Sequence, residues 1–69
     1  MKRIAVASST LNSVGYDSET MTLELEFTSG EVYQYFDVPG DVYLRLRQSE
    51  SLGRFFNEQI KENYRFIKL

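Results

Sequence analysis

The chain has 69 residues, a formal net charge of −2 and neither cysteine nor histidine. Thiolate metal sites, disulfides and imidazole-based catalysis are therefore excluded. A chain of this length is one domain that buries about 60% of its unfolded surface, with an expected stability of roughly 3–10 kcal/mol.

The charge is uneven. Residues 1–41 carry two basic and seven acidic side chains, a balance of −5, and residues 42–69 carry six and three, a balance of +3. The acidic total argues against a strong non-specific grip on nucleic acid, while the basic second half marks one candidate contact face. The opening MKRIAVASS has Lys2-Arg3 and a small-residue cluster, but its apolar run, Ile4 to Ala7, is short of a secretory core. No stretch has the length of a membrane span, which points to a soluble, cytoplasmic protein.

In chain order, LNSVGYD predicts a first strand, and Asp17-Ser18-Glu19 a turn. TMTLELEF alternates strictly, placing Met21, Leu23, Leu25 and Phe27 inward and Thr22, Glu24 and Glu26 outward. Thr28-Ser29-Gly30 turns the chain into a strand from Glu31 to Phe36. A two-residue loop here would bury Gln34 and expose Tyr33 and Tyr35; a three-residue loop does the opposite, because one residue of slip inverts every side chain. A glycine ending the loop suits the left-handed bulge position, and an unpartnered buried glutamine costs about 1–3 kcal/mol. Both arguments put Tyr33 opposite Leu25 and Tyr35 opposite Leu23, in the core, with Val32 and Phe36 outside.

Pro39 and Asp41 suit the start of a helix whose Val42, Tyr43 and Leu46 share one side, with Leu44 pointing away between Arg45 and Arg47. Ser51 caps a second helix from Leu52 to about Glu62, apolar along Leu52, Phe55, Phe56 and Ile60 and polar along Arg54, Asn57, Glu58 and Lys61. YRFIKL predicts a closing strand. The fold class is α+β in two layers: an antiparallel three- to four-stranded sheet with two short helices on one face, in the order β-β-β-α-α-β.

These residues resemble the KTSC domain family. The shared features are Val6 with Ser8-Ser9, Val14-Gly15-Tyr16-Asp17, Phe27, Gly30, Tyr33-Gln34-Tyr35, Val38-Pro39, Val42-Tyr43, Leu46, Ser51, Gly53, Phe56, Asn57, Ile60 and Tyr64. The resemblance covers about Val6 to Phe66. The family occurs as free-standing bacterial proteins and at the C-terminus of some lysyl-tRNA synthetases, which implies an accessory role near RNA. Where the family has acidic or small apolar residues after the Val-Tyr pair, this chain has Leu44, Arg45 and Arg47.

Chemistry-bearing groups are sparse. Glu24 and Glu26 share a strand face, where they read as a solvated surface rather than an acid–base pair. Ser8-Ser9-Thr10 lacks a nucleophile motif beside Lys2 or Lys61 and reads as capping residues. No enzyme, cofactor or metal site is expected. The candidate contact residues are Tyr43, Leu44, Arg45, Arg47, Arg54, Asn57, Lys61 and Arg65. Helix spacing pairs Asp41 with Arg45, and Glu58 with Arg54 and Lys61, leaving Arg47, Arg65 and Lys68 free. Two partners stand nearly level. One is RNA, held by the arginines and a stacking ring. The other is a protein or second copy, met through Leu44, Val32 and Phe36 or an edge strand.

Overall fold

Leu11, Val14, Leu23, Leu25 and Tyr35 on three strands all point to one side, where helices cover them, Leu11 and Val14 sharing it because the register shifts between Leu11 and Ser13. The computed structural model describes all 69 residues, Met1–Leu69. Five strands, β1 (Ile4–Ala5), β2 (Leu11–Asp17), β3 (Thr22–Phe27), β4 (Val32–Tyr35) and β5 (Phe66–Lys68), form one antiparallel sheet in the spatial order β1-β2-β3-β4-β5. Between β4 and β5 the chain forms α1 (Gly40–Gln48) and α2 (Leu52–Phe55), the latter running on as a π-helical turn, Phe56–Ile60.

The expected class holds, but the sheet has five strands and the order is β-β-β-β-α-α-β. The additional strand is β1, whose Ile4 and Ala5 pair with Val14 and Ser13. Two residues are too few to display an alternation.

The β3–β4 hairpin has the predicted register, Leu25 opposite Tyr33 and Leu23 opposite Tyr35. Phe27 donates its N–H to the Glu31 carbonyl at 2.8 Å and Gly30 donates to Phe27 at 2.9 Å, which closes the Thr28-Ser29-Gly30 loop. Gly30 sits at φ +94°, the left-handed region where a side chain is strained. Tyr35 is 3% exposed and Tyr33 is half-buried beside it, both on the helix side.

Alternation fails at Met21. The strand begins one residue later, because Met21 adopts φ +54° in the turn and leaves its side chain exposed. The preceding turn is held by the Asp17 carboxylate, which accepts from the Glu19 N–H at 2.9 Å.

The helices close the core by the faces their periodicity assigns. Leu46 of α1 and Ile60 are fully buried, Leu52 and Phe56 nearly so. Ser51 caps α2 by accepting the Arg54 N–H at 3.2 Å. Gly53 lies flat against β2's approach: a Cβ there would stand 2.9 Å from Thr10 Cβ. Ser8 Oγ accepts from the N–H groups of Thr10 and Leu11 at 3.0 and 3.2 Å, the capping role expected of that serine. Tyr16 joins sheet to helix. Its ring stacks on Tyr43 at 4.9 Å, and its hydroxyl donates to the Val38 carbonyl at 2.5 Å.

Gly30→Ala places a Cβ in the left-handed region and should cost about 1–2 kcal/mol, read as a lower urea midpoint with an unchanged denaturant slope.

Candidate functional site

The outer face of the sheet, away from the helices, corrects the reading of Glu24. It is 6% exposed rather than solvated. Gly15 stands beside it on β2, and the missing side chain leaves a gap that Arg3 crosses: a Cβ on Gly15 would be 3.0 Å from Arg3 Cγ and 2.7 Å from the Lys2 carbonyl. Arg3 Nη1 meets Glu24 Oε2 at 2.8 Å, and Gln34 Nε2 donates to Glu24 Oε1 at 2.8 Å. Glu26 accepts from Ser13 Oγ at 2.9 Å. Both oxygens of Glu24 are thus held by permanent partners, and the two glutamates brace strands rather than face a substrate.

The eight candidate contact residues do not form one patch. Tyr43 spends one face of its ring on Tyr16. Leu44 is 54% exposed on the ridge of α1. Arg45 does not pair with Asp41; its guanidinium lies 5.6 Å from the centre of the Phe55 ring, while that of Arg47 lies 5.7 Å from the Tyr43 ring. Arg54 pairs with Glu58 at 3.2 Å, as helix spacing predicts. Lys61 forms no ion pair with Glu58. Arg65, expected to be free, pairs with Asp37 at 3.3 Å and lies over Phe36 on the opposite side of the sheet from α1. Lys68, also expected to be free, is paired with Glu31. That contact holds the Glu31 carboxyl below its usual range, first through the hydrogen bond and then through the charge, and raises Lys68 in the same order. Of the five arginines only Arg45 and Arg47 lack a carboxylate partner, and both are on α1.

Leu44 and the pair Val32 and Phe36 occupy different layers. Val32 lies opposite Glu26 on the outer sheet face, so it cannot form one apolar strip with the ridge of α1.

Asn57 and Lys61 belong to a different feature. With Phe27, Tyr33, Tyr35, Phe56 and Phe66 they line a cleft of about 640 Å³ between the sheet and the π-helical turn. The turn closes on Lys61, whose N–H donates to the Phe56 carbonyl five residues back at 2.9 Å, bringing Lys61 into line with Phe56. Sequence reading placed Phe27, Tyr33, Tyr35 and Phe56 in the core and Phe66 in a closing strand but not the cleft they border, because Phe66 reaches Tyr33 and Tyr35 only through the pairing of β5 with β4.

A KTSC domain family model matches residues 7–64 of the chain. The chain belongs to the KTSC domain family. It is 35% identical to a KTSC domain protein from Yersinia pestis whose crystal structure superposes with a TM-score of 0.96, over 99% of this chain and 96% of that one. An uncharacterised protein of Stutzerimonas stutzeri is 47% identical over all of this chain and 99% of its own length. A lysine–tRNA ligase of Nostoc punctiforme is 41% identical over 88% of this chain, which spans 11% of that enzyme. The shared signature residues are explained by the fold: Gly15 admits Arg3, Tyr16 stacks on Tyr43, Ser51 caps, and Gly53 admits Thr10. No helix is long and apolar enough to cross a membrane.

Two outcomes are expected. Arg3→Ala strands the nearly buried Glu24 charge on Gln34 alone and should cost about 1–3 kcal/mol, with Glu24→Gln in the same chain recovering part of the loss in urea unfolding. Burial raises the hydroxyl pKa of Tyr35 above 10.0, with Tyr33 adding to it, and that of Tyr16 by burial and then by Asp41 and Asp17. The folded protein therefore keeps protons that the unfolded chain sheds, so stability should fall as pH rises through and above 10.0. Tyr16→Phe and Tyr35→Phe should flatten that alkaline decline, measured by urea midpoints across the pH series.

Proposed function

We propose that this chain is a non-catalytic accessory module that contacts single-stranded RNA weakly through the outer side of α1. The observation that carries the reading is the state of Arg45 and Arg47. Every other arginine is neutralised by a carboxylate, whereas these two are held over aromatic rings with their charge uncommitted. A guanidinium laid on a ring is restrained in direction yet keeps its N–H edge for a phosphate, so less side-chain freedom is lost on contact. Helical spacing sets the two on either side of Leu44, a geometry that fits two phosphates of a strand crossing the ridge. Relatives within lysine–tRNA ligases are in keeping with an accessory role at RNA, as an association of context rather than of mechanism. The net charge of −2 keeps the contact weak.

A protein partner or second copy is the second reading, favoured by the exposure of Leu44 at 54%. Salt separates the two. Two phosphate contacts give a slope of log affinity against log salt of about −1.4, from roughly 0.7 per phosphate on a single strand; an apolar contact at Leu44 gives almost none. Arg45→Glu with Arg47→Glu should abolish binding of a mixed-sequence single-stranded RNA in fluorescence anisotropy while the near-ultraviolet circular dichroism is kept. Unchanged affinity in that double variant would discard the RNA assignment. Loss of association in Leu44→Asp at any salt concentration would favour the protein partner.

A further inference from the structure

Resting on the RNA reading above, we propose that the cleft between β4–β5 and the π-helical turn takes one unstacked nucleobase of the bound strand. Its floor is a panel of rings on adjacent strands. Tyr35 and Phe66 lie 5.4 Å apart and 33° from parallel, Tyr33 and Tyr35 6.4 Å and 27°, and Tyr33 and Phe66 5.8 Å and 50°. Phe27 on β3 and Phe56 on the π-helical turn meet these rings edge-on: Phe27 lies against Tyr33 at 83°, Phe56 against Tyr35 at 76°. Phe66 at the rim is 52% exposed and Tyr33 is half-buried, so these two rings are the ones a base can reach, while Tyr35, 3% exposed, backs them. Sheet-borne rings of this kind stack single-stranded bases without regard to sequence, since every base has a flat π-face. The cleft of about 640 Å³ is large enough for a base with its sugar.

The polar groups at the mouth select among flat or cation-seeking ligands. The Asn57 amide lines the cleft and makes no hydrogen bond within the protein, leaving its paired donor and acceptor for a base edge. Lys61 also lines it and has no carboxylate partner, so its ammonium suits the phosphate attached to a bound nucleoside. Aromatic panels also attract quaternary ammonium groups. The Glu31 charge that would favour such a ligand is occupied by Lys68, but Glu62 also lines the cleft without an ion pair and offsets Lys61, so the flat ring panel and the Asn57 amide rather than charge carry the choice of a base. The cleft and the α1 arginines flank the same helix: Arg45 rests on Phe55, and the next residue, Phe56, lines the cleft. One strand crossing α2 can reach both.

The test is a titration of the full chain with adenosine 5′-monophosphate, followed by the ring resonances of Tyr33 and Phe66 and the Asn57 side-chain amide. Saturable shifts at all three are expected, with ribose 5-phosphate producing none. Phe66→Ala should weaken the nucleotide at least about tenfold, and the milder Phe66→Leu, which keeps β5 filled, should weaken it less. Arg45→Glu with Arg47→Glu should leave the mononucleotide shifts unchanged while lowering oligonucleotide affinity to that of the mononucleotide. The mononucleotide therefore reports on the cleft and the oligonucleotide on α1, and either can fail alone. Absence of saturable shifts, equal shifts from ribose 5-phosphate, or full affinity retained in Phe66→Ala would each overturn the base site. So would shifts produced by tetramethylammonium but not by the nucleotide.

Discussion

One residue of loop length decides what each face of this protein is made of. Because Gly30 accepts φ +94°, the β3–β4 loop spans three residues, and Tyr33 and Tyr35 turn towards the helices. The same step sends Gln34 to the opposite face, where its amide meets Glu24. A loop shorter by one would exchange these roles along the whole strand. The tyrosines carry a large share of the area a small cysteine-free domain has to bury, so the register bears on stability as well as on surface.

The two layers depend on that register in different ways. On the helix side, Tyr35 abuts Phe56 and Phe66, and Tyr16 stacks on Tyr43 to tie β2 to α1. On the other side, Gln34, Glu24 and Arg3 form a row across the sheet that is continuous only because Gly15 has no side chain. The row fastens the N-terminal residues to the middle of the sheet through a nearly buried ion pair. Glu24 is consequently a structural group, although its alternation with Glu26 in the sequence is indistinguishable from that of a wet surface.

What was legible in the sequence is what local pattern controls. The alternation Leu23, Leu25, Phe27 fixed the faces of β3, the glycine at the end of its loop fixed the hairpin, and helical periodicity placed Leu46, Phe56 and Ile60 in the core and Leu44 outside. What was not legible depends on partners distant in the chain. β1 is two residues long and exists because β2 offers it an edge. Arg3 and Glu24 are 21 positions apart, and Arg65 and Asp37 are 28, beyond any helical spacing rule. Met21 departs from its strand through a left-handed backbone that its residue type does not announce. The cleft needs β5 beside β4 and a five-residue closure at Phe56, neither of which composition or periodicity specifies. Contact residues chosen by charge were therefore divided between α1, the cleft and the far side of the sheet.

The residues of the family resemblance divide between the frame and the cleft, where Phe27, Tyr33, Tyr35, Phe56 and Asn57 lie, and leave out the α1 arginines. Gly15, Tyr16, Ser51 and Gly53 serve packing and capping, so they report the fold, whereas Arg45 and Arg47 make no ion pair and keep their charge for a partner. A rigid frame thus presents two uncommitted arginines on the surface of α1. Nuclear Overhauser contacts between side chains of β4 and their surroundings test the frame most directly. Contacts from the Tyr35 ring to Leu23 and Phe56, together with contacts from the Gln34 amide to Glu24, are the result the three-residue loop requires. Contacts from the Gln34 amide to Leu25, with the Tyr35 ring against Glu24 and the Tyr33 ring against Glu26, would mean that the sheet is assembled with its faces exchanged.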